Sequence, residues 1–593
     1  MKTSRQAFRY CTTLLALAGA CATTSQPAPA APPPPRAPVA PKAAPPVEVV
    51  FAPVATAKSA MVGSLVSVAP SKIVADLDAL SKRLGLPVQA GQELLSSLGS
   101  LGLFGDAAYF RQVWERLDPS AAVAIVWVLS PQSRTKGYCA ALTLKDAADA
   151  KLTLDELGKP GEQRDGVAER KVEGMDSVWG ASKGKTLLVS NSAEALLLAG
   201  GLAEAAQVSP KDGQVVLSAL PQALAKASGQ SNDEIIARLV ASLGSAAQAA
   251  DTKVATGTQR MLQAGTESAA RMALESGEVR LVLDMTPTGG ILVRAEMVPL
   301  PGSDLATRTA LRAPYAFDDR LPIRDDGTAV MAVGDLSSWF LPFARVFESS
   351  GPAGQAMRRD MTQWFGMVGD LSCVVEPVAV GYTSLCSSSL KPGTDPKHAV
   401  DAALALLSSQ NAWEGELEGR KASPLKITRK RGSVEVEKKI ENRDPSARAI
   451  AKAMAGGDKV KTVIAQKGGR LVQATGQKAR DMVTGYGASA SNKNAPLVAA
   501  ALTATQGMEG VASVDVVSGL LRLLGKGKDL PGAEVVKLAT SLPGVMEMKA
   551  PFVFTLRTGA ALTGEFRIPL GSLDSMGKVV QGVLGAAGGP PPR

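Results

Sequence analysis

Histidine, aromatic residues and long apolar runs are all scarce in this chain. Its 593 residues include one histidine, His398, and five cysteines, and aromatic residues make up 4%. Most zinc enzymes, iron–sulfur proteins and disulfide scaffolds need clusters of histidine or cysteine that so few residues do not supply. No apolar run reaches the roughly 18 residues of a membrane-spanning helix, which excludes a polytopic membrane protein. The hydrophobic content of 45% excludes a disordered chain.

The N-terminus carries the pattern of an export signal. Three basic residues lie in the first nine positions, and a short apolar stretch follows over residues 12–18. The small residues Ala18, Gly19 and Ala20 then precede Cys21. The apolar stretch is too short to span a bilayer, so a cleaved signal over residues 1–20 is expected.

This N-terminal pattern resembles the lipobox of bacterial lipoproteins, although Ala18 stands where that family prefers leucine. The resemblance implies that Cys21 is acylated, for example with palmitate, and becomes the first mature residue. Ordinary signal peptidase could also cut after Ala20, in which case Cys21 is the first mature residue without a lipid. Nothing acidic stands at Ala22, which resembles the outer-membrane class of lipoproteins. A lipid-anchored protein of the cell envelope, at the outer membrane, is therefore expected.

Proline and alanine dominate the segment after Cys21, which cannot pack a core and favours extended polyproline II structure. We expect residues 21–60 to form a tether and residues 586–593 a Gly/Pro-rich tail. The net charge of +10 is modest for this length and does not argue for a nucleic-acid partner.

Alternating apolar segments and amphipathic helical segments predict an α+β fold of mainly antiparallel sheet with packed helices, including a long Ala-rich helix ending near Ser276. Their order repeats, which predicts two tandem related modules over residues 61–312 and 313–585. The closing hairpins, at 278–298 and 551–569, match best. This arrangement loosely resembles uncharacterised bacterial envelope proteins built from duplicated α+β modules. The resemblance carries over no catalytic or binding residue.

Two enzyme-like motifs occur in one stretch. Residues 180–186 end like a phosphate-binding loop, but Trp179 occupies the position of the required first glycine. The same stretch places Ser182 in a Gly-x-Ser-x-Gly pattern, whose base would have to be His398. The flanking segments predict a strand, a turn and a second strand, so a hairpin turn is expected. Ser575 and Lys578 form a Ser-x-x-Lys pair without its companion motifs.

Three cysteines remain in the mature chain after Cys21. Cys373 and Cys386 lie on neighbouring predicted strands and could form a disulfide in an exported protein, or could stay free. Cys139 would then be a buried free thiol.

Four basic residues mark a predicted hairpin: Lys426, Arg429, Lys430 and Arg431. They could form a solvated sheet face or could contact anionic headgroups or an anionic polymer. No aromatic residues are interleaved with them to stack on bases or sugars.

Two hypotheses of different class follow. The first is a non-enzymatic, membrane-anchored envelope lipoprotein with a binding or scaffold role. The second is a carrier of lipid or another hydrophobic ligand. A hydrolase is a third alternative. No cofactor, metal or nucleic acid is expected, and the expected partners are the membrane and an envelope protein or hydrophobic ligand.

Overall fold

The alternating apolar segments become strands, and the computed structural model joins these strands into one antiparallel sheet with helices packed on both faces. The fold is thus mixed α+β. The residues that the structure describes are 49–86, 88–94, 107–129, 136–172, 177–209, 212–247, 267–310, 317–322, 329–335, 344, 347, 351–378, 381–442, 445–488, 510–515 and 549–586. Cys21 and the predicted signal lie outside them, as do residues 21–48 of the predicted tether and residues 587–593 of the predicted tail.

The first half of the chain contributes ten strands within the described residues. They are β1 Met61–Ser67, β2 Val123–Leu129, β3 Lys136–Thr143, β4 Lys159–Arg164, β5 Val167–Lys171, β6 Val178–Lys183, β7 Thr186–Ser190, β8 Val215–Ala219, β9 Ser276–Thr286 and β10 Gly290–Pro299.

The second half contributes another ten. They are β11 Ala329–Val333, β12 Val368–Pro377, β13 Tyr382–Leu390, β14 Lys426–Lys430, β15 Ser433–Lys439, β16 Lys459–Lys467, β17 Arg470–Gly476, β18 Gly510–Asp515, β19 Pro551–Arg557 and β20 Leu562–Ile568.

Neighbouring strands of the first half run in the order β4-β5-β6-β7-β3-β2-β1-β8-β9-β10. The second half continues as β20-β19-β18-β11-β12-β13-β17-β16-β15-β14. Each strand of the first half occupies the same position in its half as the strand ten places later in the chain. For example, β1 lies between β2 and β8, and β11 lies between β12 and β18. The halves meet where β10 pairs with β20, so the sheet runs without a break across the predicted module boundary at 312.

The helices connect these strands and pack on the sheet. They are α1 Val54–Ala60, α2 Pro70–Arg83, α3 Ala107–Arg116, α4 Ala147–Glu156, α5 Ala193–Val208, α6 Pro221–Ser228, α7 Asn232–Ala247, α8 Asp304–Thr309, α9 Gly351–Met367, α10 Pro396–Leu417, α11 Pro445–Ala455, α12 Ala479–Gly485 and α13 Leu570–Ala586.

Successive side chains of a strand point to opposite faces of the sheet, so both faces present apolar side chains. Each face is covered by its own set of helices. We call one face the front face. Three pairs of helices form apolar clusters on it: α3 with α4, α2 with α13, and α9 with α10. The rear face is the one covered by α1 and α5 in the first half and by α12 in the second. The core therefore lies in layers on both sides of the sheet.

Three details differ from the sequence-based expectations. Helix α1 lies within the range expected for the tether, and its buried Ala57 and Ala60 pack on the rear face. Strand β4, which the pattern did not predict because its residues are polar, forms an edge of the sheet by pairing with β5. The predicted long Ala-rich helix is not continuous, because Ile235 and Ile236 of α7 pack against Ala270 and Leu274 near its predicted end; residues 248–266 lie outside the described residues.

Candidate functional site

The enzyme-like motifs do not assemble. Residues 178–190 form the β6–β7 hairpin, where Lys183 pairs with Thr186 and Gly184 adopts a φ of +56°. Ser182 therefore sits on a strand rather than on a strand-to-helix turn. His398 is exposed near the start of α10, and its Nε2 lies 3.2 Å from Nε2 of Gln363. Ser575 donates its hydroxyl to the Lys549 carbonyl oxygen over 3.1 Å. Among the described residues, no histidine, cysteine, aspartate and glutamate side chains form a group that could hold a metal ion.

Cys373 and Cys386 face each other across β12 and β13, and their sulfur atoms are bonded as a disulfide. The Cα atoms lie 4.1 Å apart, as close as directly opposed residues of two antiparallel strands come. Cys139 is fully buried in β3 as a free thiol, and burial raises the pKa of that thiol. A reactive role for Cys139 is therefore disfavoured, because the thiolate is the nucleophilic form.

Reducing the disulfide is expected to lower the free energy of unfolding by about 3 kcal/mol. The disulfide closes a short loop in the unfolded chain and so lowers the entropy of that chain, and reduction removes this restriction. The measurement is urea unfolding of the oxidised protein, of the reduced protein and of Cys373→Ser/Cys386→Ser. The reduced protein and the double variant should unfold at the same lower urea concentration. Equal stability of the oxidised and reduced forms would contradict this expectation.

The four basic residues of the predicted anionic contact do not form one surface. Lys426, Arg429 and Lys430 lie on β14, the edge strand of the second half, and Arg431 is in the turn that follows. Alternation along β14 places Arg429 on the opposite face from Lys426 and Lys430. Arg429 reaches Asp401 on the front-face helix α10 over 2.9 Å, whereas Lys430 pairs with Glu435 over 3.0 Å. Exposed lysines on an edge strand also prevent edge-to-edge pairing with other chains.

A buried carboxylate, Asp318, anchors the segment before β11 to the rear face of the second half. Asp318 is 7% exposed and accepts hydrogen bonds from Ser387, from the Tyr486 hydroxyl over 2.6 Å and from Arg320 Nε over 3.0 Å. Burial alone would raise the pKa of the Asp318 carboxyl, but these hydrogen bonds outweigh burial and lower that pKa. Burial and the bond to Asp318 raise the pKa of Tyr486 to about 12.

Arg470 completes this network from β17. Its Nε lies 3.1 Å from Asp318 Oδ2 and donates to Ser387 Oγ over 2.6 Å, while its other nitrogens bind Asp370. Every group has a partner and Ser387 has no exposed surface. The arrangement therefore holds the chain in place and offers no access to a substrate. No local sequence pattern indicates this network, because Asp318 and Tyr486 are 168 residues apart.

The middle of the front face is apolar and partly uncovered. Along β10, β20, β19, β18 and β11, each front-face position holds an apolar residue or glycine, and the same holds from Val279 to Met285 in β9. We call this region the front strip; it is defined by Leu281, Ala295, Phe566, Phe554, Val514 and Met331. Within it, Leu281 is 41%, Phe554 46% and Val514 39% exposed. Exposed apolar side chains that are contiguous on one surface are typical of interaction sites.

The rear side of β9 and β10 carries charged side chains, whereas the rear side of β11, β18 and β19 holds the buried residues Ala332, Val511 and Val553. On the rear face, Arg280 and Arg294 lie 3.1 and 3.0 Å from the carboxylate of Glu296. At the front strip the most exposed side chains are therefore the apolar Leu281, Phe554 and Val514. The sequence showed the alternation in β9 and β19, but not which face would stay uncovered.

Among the described residues, no helix combines the length and apolarity needed to cross a membrane. Comparison of the chain with protein-family models, with curated proteins and with solved structures finds no match.

Proposed function

We propose that this protein is a non-enzymatic, membrane-anchored lipoprotein of the cell envelope, at the outer membrane, whose folded part binds a hydrophobic component of that envelope. The observation that carries the binding role is the front strip, where Leu281, Phe554 and Val514 are exposed among front-face positions that hold only apolar residues or glycine. A soluble fold gains nothing from exposing such residues together, because each costs free energy in contact with water. The anchor rests on the lipobox-like pattern before Cys21.

A non-enzymatic role is supported by the separation of the candidate catalytic groups. Ser182 lies in the first half on β6, whereas His398 lies in the second half on α10 and contacts Gln363. A serine nucleophile needs its histidine base within hydrogen-bond reach. The buried network of Asp318 is closed by its own partners and serves packing.

We further propose that the two halves are related modules derived from one ancestor. The repeated strand order supports this, since the neighbours of β1 to β10 recur among β11 to β20. The segment that enters each half adds support. In the first half Phe51 packs beneath α5, with Lys183 5.4 Å from its ring, and in the second half Leu321 packs beside α12.

The proposed anchor predicts a large shift in location when Cys21 is replaced. Cys21→Ser should move the protein from the membrane fraction to the soluble fraction of the envelope, because no acyl chain can be attached. The measurement is fractionation of cells followed by immunoblotting, with intact mass of the wild-type N-terminus. Cys139→Ser is the matched control and should stay in the membrane. A wild-type N-terminus without a lipid would refute the anchor but not the binding role.

A further inference from the structure

Four lysines lie together at one end of the second half of the sheet, on the rear face. Lys426 begins β14, Lys439 ends β15 and Lys459 begins β16, and antiparallel pairing places these three positions at the same end of the strands. Lys461 comes two residues after Lys459 and therefore shares its face. Glu437 lies between Lys426 and Lys461 across the sheet, and its carboxylate is 2.7 Å from the Lys459 Nζ. One half-buried glutamate thus faces four exposed lysines.

Two of these lysines repel each other. Lys439 and Lys459 occupy directly opposite positions in β15 and β16, and like charges in such positions destabilise a sheet. The Glu441 carboxylate lies 4.0 Å from Lys439 but already binds Arg420 over 3.0 Å. A face that only has to stay in water gains nothing from a pair of opposed lysines. An anionic partner that binds both of them offsets their repulsion.

A short helix with exposed apolar side chains adjoins the lysines. Helix α11 lies in the connection between β15 and β16, and this connection begins and ends beside the opposed lysine pair. The Ile440 backbone N–H donates to the Asp458 carbonyl oxygen over 2.9 Å, which holds the two ends of the connection together. Ile450 and Met454 are one helical turn apart on α11 and are 38% and 49% exposed.

Helix α11 lies at the same end of the strands as the lysines. Gln477, which follows β17, donates its side-chain amide to the Gly456 carbonyl oxygen just after α11. Gly381, which precedes β13, lies against the Met454 carbonyl oxygen. The apolar side chains of α11 and the lysines therefore belong to one end of the sheet.

The first half has no room for such a helix at the corresponding place. There the connection from β5 to β6 spans residues 172–177, whereas the connection from β15 to β16 spans residues 440–458 and contains α11. The strands pair with either connection, so α11 is not required for the sheet. Its exposed apolar side chains are an addition that the fold itself does not explain.

We call the surface formed by α11 and the four lysines the α11 surface; it is defined by Lys426, Lys439, Ile450, Met454, Lys459 and Lys461. From these observations we infer that the α11 surface lies on the anionic headgroups of a phospholipid bilayer. The lysines bind lipid phosphates, and Ile450 and Met454 enter the boundary between headgroups and acyl chains, as the apolar residues of interfacial helices do. A soluble anionic polymer satisfies the lysines but leaves both apolar side chains in water, so a bilayer accounts for more of the surface.

This contact goes beyond the proposed function, because it involves neither the front strip nor the acyl group at Cys21. It is reversible and is screened by salt, since attraction between exposed charges decays over about 8 Å at physiological ionic strength. The contact is therefore too weak to replace an acyl anchor. Its effect is to set which end of the folded part faces the membrane.

The test uses the Cys21→Ser protein, which carries no acyl chain, and sedimentation with vesicles of two compositions. We expect much tighter binding at low ionic strength to equimolar phosphatidylcholine and phosphatidylglycerol than to phosphatidylcholine alone, and loss of this difference in high salt. Lys439→Gln and Lys459→Gln should each weaken binding about fivefold, the contribution of one lysine at an anionic membrane. Met454→Gln should weaken it by about fivefold as well, because apolar contact is lost.

Lys151→Gln and Leu152→Gln are the matched controls. Both residues are on α4 of the first half, where Lys151 is exposed and Leu152 is 47% exposed, so neither change should alter vesicle binding. All the substituted side chains are exposed, and the thermal midpoint of unfolding should stay near that of the parent protein. Equal binding of the parent protein to both kinds of vesicle would overturn the inference. Full binding by Met454→Gln beside weakened binding by the lysine variants would overturn it too, and would indicate a soluble anionic polymer.

The experiment separates this inference from the proposed anchor. If the Cys21→Ser protein binds neither kind of vesicle while the wild-type N-terminus carries a lipid, the inference fails and the anchor stands. If vesicle binding depends on the α11 surface while the wild-type N-terminus carries no lipid, the inference stands and the anchor fails.

Discussion

Replacing Asp318 with alanine is expected to lower the free energy of unfolding by about 3–5 kcal/mol. The reason is the loss of the shared acceptor for Ser387, Tyr486 and Arg320, together with the charge that faces Arg470. The Arg470 guanidinium would keep Asp370 as its partner but lose a buried one. The measurement is urea unfolding at pH 7, and the segment 317–322 should become accessible to protease before the rest of the chain.

The stability of the wild-type protein should also fall with acid at this site. Because the pKa of Asp318 is lower in the folded chain than in the unfolded chain, its carboxylate stabilises the fold above the unfolded value. That contribution is lost as the pH falls below about 4 and through the folded pKa. Asp318→Ala should therefore show a shallower loss of stability over this range than the wild type does.

Asp401→Ala is the control for the Asp318 variant. It also removes an aspartate that pairs with an arginine, but the Arg429–Asp401 pair is exposed. Exposed pairs contribute about 0–1 kcal/mol, so this variant should unfold close to the wild type. Similar stability of the Asp318 and Asp401 variants would show that the Asp318 network contributes little to the fold.

Gly290→Ala should destabilise the protein by about 2–5 kcal/mol. Gly290 adopts a φ of +84° at the turn between β9 and β10, a conformation that costs alanine free energy. An added Cβ would also lie 2.2 Å from the Ile568 carbonyl oxygen, on the strand that joins the second half to the first. Backbone atoms must then move apart at the β10–β20 pairing. Urea unfolding measures the effect.

Gly302→Ala separates the two causes. Gly302 has a φ of +78°, but a Cβ there would meet no atom within 4 Å. This variant should lose only the conformational term, about 1–2 kcal/mol. If the two glycine variants are equally stable, the close approach of β20 to Gly290 does not contribute, and the pairing of the two halves tolerates displacement.

Local chemistry was sufficient to predict many elements. The N-cap of α4 is Asp146, which accepts from the Asp149 backbone N–H over 2.7 Å, and Ser231 with Glu234 forms a capping box. These devices act within one turn of helix, so a short window of sequence contains them. At α5 two adjacent residues could cap the helix, and local sequence does not decide between them. Ser192 caps the helix, while the Asn191 side chain accepts from the backbone of Tyr138, 53 residues away.

The alternation along each strand is enough to predict which side chains share a face. Strict alternation places Leu281 and Leu283 on one side of β9 and Arg280 and Val282 on the other, because a strand has a period of two. Tertiary structure decided which face is covered, since that depends on where helices from distant parts of the chain pack. The Asp318 network and the front strip belong to this second category. Both depend on contacts between residues far apart in sequence, and no local period records such contacts.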